Sequence, residues 1–349
     1  MNKYILFPFL VFFIVLAHEL HAQDGNNSEA TSLFSDQDLL YLKLNYSNKG
    51  VKENSNDSTY IKTELSYKAR DGSWKNIKSK IKRRGKNRLK NCYFTPIKLK
   101  VKKTVAAGTV FDGNNKLKLV LPCIQEKDLN DNILKEFMAY KLYELISPYH
   151  FKTRLAAIEY REIREGNVKL HLLMGILIED IDKVADRYRG RVIDRDVHPL
   201  EQDGTCSIRN DFFQFMIGNT DYSIAHQHNQ KLLYIDKKIL PIPYDFDMSG
   251  LVNASYAIVP AANGSKLNID NVSQRLFRGY KRDERIYQTI RKEFLDNQIA
   301  LFEIIDGLKS NFSEAREFTK ARKYISDFFE ILINDKKFKN KIVEKARIK

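Results

Sequence analysis

A period-2 rhythm running through residues 37–122 constrains this chain more than any other feature. DLLYLKLNYS, STYIKTELSYKA, WKNIKSKIKRRG, FTPIKLKV and KLKLVLP each alternate apolar and polar side chains. Side chains two apart on an extended chain share a face, so each run buries one face and wets the other. Between the runs, RRGKNRLKN and VFDGNNK carry the Gly and Asn of turns. The expectation is an antiparallel sheet of about five strands.

The period then changes. DLNDNILKEFMAYKLYELIS places Ile133, Phe137, Tyr140, Leu142 and Leu145 at near-helical spacing behind an Asp/Asn start, which predicts a helix. RLAAIEYREI and VKLHLLMGILIED, separated by Glu-Gly-Asn, read as a hairpin, and DKVADRYRG as a short helix. RNDFFQFMIGN predicts an apolar helix, and KLLYID and ILPIPYDF two short strands joined by Lys-Lys. From Asp283 two long helical patterns run to a basic tail. The order predicts an α+β protein of two lobes, a sheet lobe over 37–180 with one key helix and a mostly helical lobe over 181–349. A cleft between them is the natural place for a ligand.

The first residues read differently. MNKYILFPFLVFFIVLAHELHAQDG has one lysine, an apolar run from Tyr4 to Ala17 and a short polar stretch, the layout of a secretory signal. The run is shorter than the roughly 20 apolar residues of a membrane span. Export with cleavage near Ala22 is expected (periplasm, exterior or cell surface), with an uncleaved N-terminal anchor as the alternative. No integral membrane domain is expected beyond this segment, and 23–36 reads as a flexible lead-in. Cys92, Cys123 and Cys206 are odd in number and lack CxxC spacing, so the sequence favours buried free thiols over a Cys92–Cys123 bond. A net charge of +15 favours anionic partners without choosing among nucleotide phosphates, nucleic acid, membrane and acidic protein.

Chemistry concentrates in GNTDYSIAHQHNQKLLYIDKKILPIPYDFDMSG. Asp245 and Asp247 sit one residue apart after an apolar run, where two anions on one face need a cation nearby. A strand, turn and strand can bring Asp221, Asn229 and Asp245 together at one end, an oxygen-donor set suited to Mg²⁺. Taken alone, Asp221 or Asn229 reads as a turn residue. His226 and His228 read as polar loop residues, with no third metal ligand indicated.

This segment resembles the CotH family of secreted or surface kinases, which have an atypical protein-kinase-like fold. The matching residues are Asn219-Thr-Asp221, Asn229 and Pro243-Tyr-Asp245-Phe-Asp247-Met-Ser-Gly250. Upstream, KIKRRGKNRLK, KLKLVLP and LLMGILIEDID resemble the family's Arg-Gly element, lysine strand and Gly-x-x-x-x-Glu strand. The resemblance covers roughly Lys80 to Gly250, with Tyr244 standing where the family has tryptophan. It implies a two-lobed fold and an exported phosphotransferase using ATP with Mg²⁺ or Mn²⁺. Asp221 would be the catalytic Asp, and Asn229 and Asp245 metal ligands. Lys118, with Lys116 as competitor, would hold phosphate. Glu136 would pair with that lysine, and Arg84, Gly85 and Lys86 would turn over the phosphates. Asp247 would sit behind the metal or cap the turn at Ser249-Gly250, and Glu179 would mark a hinge. Read without the resemblance, Glu136 is a solvated helix position and Arg84–Lys86 a solvated basic turn. The implied partners are a nucleotide and a protein or surface-polymer acceptor, with no nucleic acid. A pseudokinase-like module for surface assembly and a metal-dependent glycosyltransferase or hydrolase are the alternatives.

Overall fold

The computed structural model describes residues 32–56, 58–85, 92–262 and 265–348. The signal segment, its cleavage point, residues 23–31 of the lead-in and Lys86 lie outside the described residues. Ser32–Ser35 form one helical turn that buries Leu33 and Phe34.

Seven strands follow: β1 (Leu40–Tyr46), β2 (Ile61–Lys68), β3 (Trp74–Arg83), β4 (Ile97–Val101), β5 (Lys116–Val120), β6 (Thr153–Arg164) and β7 (Asn167–Ile178). They close into a barrel in the order β1-β2-β3-β4-β5-β7-β6. All neighbours are antiparallel except β1 and β6, which run parallel with Leu40 opposite Ala156. The alternation does what period 2 dictates: Leu42, Leu65, Ile81, Leu99, Leu119 and Tyr160 point inward into one apolar cluster. The outward faces of β2 to β5 carry lysines.

The closed barrel overturns the expected fold. A two-lobed protein-kinase-like plan needs an open N-terminal sheet, and this sheet has no free edge. The hairpin is the reason. β6 and β7 are twelve residues each, long enough for β7 to pair with β5 while β6 reaches round to β1. Closure satisfies the backbone groups that two edge strands would expose. The sequence placed the hairpin after the sheet instead of inside it.

The helix Leu129–Ile146 packs against β7 and against the C-terminal helices. It is buried around most of its circumference, Lys135 and Glu136 included, and the Lys135 ammonium bonds Glu317 at 3.0 Å. The rest of the chain forms a helical region around a second core. Within it β8 (Arg191–Ile193), β9 (Gln230–Ile235) and β10 (Lys238–Pro243) make a small sheet ordered β10-β9-β8. Its hairpin turns at Asp236-Lys237, both at positive φ, and not at Lys-Lys. The two long C-terminal patterns are interrupted at Asn297 and Asn334, giving helices Glu284–Asp296, Gln298–Gly307, Ala315–Ile333 and Asp335–Lys341. Among the described residues no helix is long and apolar enough to cross a membrane.

Cys92 and Cys123 form a disulfide, correcting the preference for free thiols, and Cys206 is free and half-buried. The bond ties the chain entering β4 to the segment leaving β5. Spacing alone could not show that the barrel brings those two ends together.

Candidate functional site

The site lies where the outer face of the barrel meets the small sheet of the helical region. Lys118 comes from β5, an inner strand of the barrel wall, with an outward side chain. Its Nζ lies 4.2 Å from the centre of the Tyr244 ring and 4.9 Å from that of Phe151. Burial, and then the Arg84 guanidinium, push the Lys118 ammonium down to about 7, with the Asp245 carboxylate opposing them. Lys118 is the phosphate candidate that enters the cleft. Lys116, one strand repeat away, stays exposed and pairs with Asp182 at 3.7 Å.

Asp245 lies two residues past the end of β10. Its backbone N–H donates to the Tyr140 hydroxyl at 2.9 Å, and Tyr140 projects from the helix Leu129–Ile146. Phe246 is fully buried between Tyr140 and Phe213, anchoring the Asp-x-Asp segment through its middle residue. Asp245 adopts φ 65°, so the chain is not extended here and the two carboxylates do not share an extended face. Asp247 is buried, and the turn beyond it is tied down when Gly250 donates to the Gly218 carbonyl at 3.0 Å. A Cβ on Gly250 would lie 2.6 Å from the Val272 carbonyl oxygen, so only glycine allows that approach.

The same end of β9 and β10 carries the other two residues. The Tyr244 N–H donates to the Asn229 carbonyl at 3.0 Å, which places Asn229 beside the start of the Asp-x-Asp segment. The Asn229 amide donates to Asp221 twice, to its backbone oxygen at 2.6 Å and to Oδ2 at 3.0 Å. Asn219 Oδ1 accepts from the Asp221 N–H at 2.9 Å, and Arg278 donates to the carbonyls of Thr220 and Tyr222, clamping the loop on both sides of Asp221. His228 Nε2 lies 3.0 Å from Asp221 Oδ1. That hydrogen bond raises the His228 imidazole, and the charge of Asp245 acts on it as well. Asp221 and Asp245 therefore share His228 as a neighbour, and Asp245 shares Lys118.

Asp221 and Asn229 are in contact, the charge of Asp245 acts on both His228 and Lys118, and that of Arg84 acts on Lys118, Tyr140 and Tyr244. Gly85 follows Arg84 at φ 76°, as a turn requires. Glu136 is buried one helical turn before Tyr140, and the Lys118 ammonium lies over the Tyr244 ring. Glu179 ends the barrel at β7 and is held by Arg187 at 3.2 Å and by the Lys152 N–H at 3.0 Å. Tyr140, Asp180 and Arg278 belong to the neighbourhood without having been given a site role from the sequence, and so does His228, which read there as a polar loop residue. His228 had a signal in its adjacency to Asn229. The other three approach from separate elements and had none.

The oxygen donors of Asp221, Asn229 and Asp245 are hard ligands of the kind Mg²⁺ takes. The Asn229 amide nitrogen is committed to Asp221, which leaves its Oδ1 as the acceptor end. Among the described residues no group of three or more His, Cys, Asp and Glu side chains forms a metal site. Two carboxylates and one amide suit a cation completed by substrate oxygens better than a closed protein cage. No protein-family model matches this sequence, and no curated protein matches it. The resemblance drawn above stands on its motifs alone.

Proposed function

We propose that the protein is an exported, metal-dependent phosphotransferase that moves the terminal phosphoryl group of ATP to a hydroxyl of a protein or surface-polymer acceptor. The observation that carries this reading is the hydrogen-bonded cluster of Asp221, Asn229 and His228, with the charge of Asp245 acting on both His228 and Lys118. It rests on that cluster and on no likeness to a kinase lobe pair.

Asn229 and Asp245 would hold the divalent ion, Mg²⁺ or Mn²⁺, which when bound neutralises charge on the phosphate oxygens. Lys118 contacts the phosphates. An anion beside it opposes the effect of burial and keeps the ammonium protonated. Asp221 orients the acceptor hydroxyl and accepts its proton as the oxygen bonds to phosphorus and the bond to ADP breaks. His228 and Asn229 fix the two Asp221 oxygens in place for that task. Export is supported by the Cys92–Cys123 disulfide, since such bonds persist in oxidising compartments.

The test is ATP turnover and phosphate incorporation by the purified protein, first with Mg²⁺ and then with Mn²⁺. Asp221→Ala is expected to lower transfer roughly 10²- to 10⁴-fold while nucleotide binding survives. Asp245→Ala is expected to weaken metal-dependent nucleotide binding instead. Wild-type protein that neither binds nor turns over ATP with either metal would end this reading. Binding without transfer would replace it with a non-catalytic nucleotide-binding module.

A further inference from the structure

The outer wall of the barrel carries two rows of lysines, of which the site uses only Lys118. Cross-strand register places Lys62 opposite Lys80, Lys80 opposite Lys100, and Lys100 opposite Lys116, across β2, β3, β4 and β5. One strand repeat further on, Lys82 faces Lys98, and Lys98 faces Lys118. Directly opposed residues in an antiparallel pair lie on the same face, and like charges there repel. Lys62, Lys80, Lys98 and Lys100 form no ion pair among the described residues, while Lys116 reaches Asp182. The next row in the other direction pairs Glu64 with Lys78, so the wholly cationic field stops there. At its other end the field enters the cleft at Lys118.

The face is concave in part. A groove of about 300 Å³ runs along it, lined by Tyr60, Lys82, Lys98 and Lys116 and also by Asp180 and Asp182, of which Asp182 pairs with Lys116. Burial, and then the neighbouring Lys82, lower the Lys98 ammonium. The free protein thus holds a crowded set of cations that an anionic partner would relieve.

We propose that this face binds an extended acidic polypeptide segment, with carboxylates at alternate positions seated on the two lysine rows. Spacing favours that occupant. Lysines two apart on one strand repeat at roughly 6.7 Å, as do alternate side chains of an extended peptide. Three inter-strand steps of about 4.8 Å give a footprint roughly 14 Å wide. Single-stranded nucleic acid fits less well, because its binders stack bases on open aromatic faces. The ring in this groove, Tyr60, is already covered by Lys82 Nζ at 4.8 Å and Lys100 Nζ at 5.6 Å. The two rows themselves are all lysine, without the planar guanidinium that grips phosphate in two places. The proposal does not depend on phosphoryl transfer.

The experiment is fluorescence anisotropy of the full-length protein with a labelled peptide of alternating Glu and Ser, without nucleotide or metal. A labelled oligothymidylate of equal charge is the competitor. Lys80→Glu with Lys100→Glu should weaken peptide binding at least about tenfold, and raised salt should weaken it in the wild type. Lys336→Glu with Lys337→Glu makes the same change of net charge on exposed positions of the helical region, and should leave binding within about twofold. Lys80→Gln with Lys100→Gln guards against misfolding. It removes repulsion, so its melting temperature should not fall, and it should still weaken binding. The proposal is overturned if the wild type does not bind the peptide, if both charge reversals weaken binding equally, if the Gln pair binds as wild type does, or if the oligothymidylate binds more tightly.

Discussion

Lys118 and Asp211 are two charged side chains that burial drives to the same place from opposite sides. Lys118 comes down to about 7 and Asp211 goes up to about 7. Their surroundings differ in kind. Asp211 is 1% exposed, accepts from the Tyr222 hydroxyl at 3.3 Å, and sits in the field of Arg347, Arg282 and Arg278. Its Oδ2 packs so close to Gly279 that an added Cβ would stand 2.5 Å away. Lys118 is partly exposed, has Arg84 and Lys98 as cationic neighbours with Asp245 and Asp180 opposing them, and lies over two rings with no ion pair among the described residues. Asp211 is closed in among cations alone, whereas Lys118 is partly exposed among charges of both signs. A perturbed group marks a functional site only when its partners are incomplete, because ion-pair networks built for structure perturb groups as well.

The largest expected effect separates the two on activity. Lys118→Met should lower ATP turnover by about 10²-fold or more, since it removes a charge aimed at the phosphates. Its melting temperature should not fall, because a methionine at that place needs no desolvation. Asp211→Asn should keep turnover within about threefold, since the change lies away from the phosphates. Steady-state rates on both variants decide it. If Asp211→Asn lost as much turnover as Lys118→Met, the structural role of Asp211 would be wrong.

A smaller effect sharpens the structural side. Gly279→Ala should cost roughly 1–3 kcal/mol, as overpacking does where neighbours cannot give way. Besides Asp211 Oδ2, the new methyl would meet Phe277 Cζ at 2.7 Å. Urea denaturation measures the loss. An unchanged midpoint would mean that the Asp211 pocket is looser than its distances indicate.

How much of this was legible in the sequence depended on how local each signal was. The alternation that buries Leu42 and Leu99 was readable because period 2 is a property of single strands. Barrel closure was not, because it rests on β1 pairing with β6 more than a hundred residues away, and no local pattern encodes that register. The disulfide stayed hidden for the same reason. At the site, Asp221, Asn229 and Asp245 were readable since one hairpin joins them. Glu136 was placed opposite Lys118 by analogy of order, and its burial on the helix Leu129–Ile146, where its charge acts on Tyr140, had no local signal. Arg278 and Asp180 reach the site from distant elements and left no mark on the segment quoted for it. The positive φ of Asp245 was equally invisible, since nothing in Pro-Tyr-Asp-Phe-Asp requires it.

The smallest effect is a pair of slopes of opposite sign. The Asp211 pKa is raised from 3.8 to about 7 by folding, so between those values the folded state binds more protons than the unfolded one. Stability then falls as pH rises through that window and levels off above it. The Lys118 pKa is lowered from 10.5 to about 7, so between those values the unfolded state binds more protons. Stability therefore rises with pH over that second window, and the cost of burying the ammonium is complete below about pH 7. Each single-group slope is at most about 1.4 kcal/mol per pH unit. Urea midpoints of wild type, Asp211→Asn and Lys118→Met near pH 5, about 7 and about 9 isolate the two terms by difference. The gap between wild type and Asp211→Asn should change only between the first two conditions, and the gap to Lys118→Met only between the last two. An ATP analogue with metal should flatten the Lys118 term, because bound phosphate keeps the ammonium charged, and should leave the Asp211 term as it was. If nucleotide moved both terms equally, or if both gaps sloped the same way, the distinction between an open site and a closed one would fail.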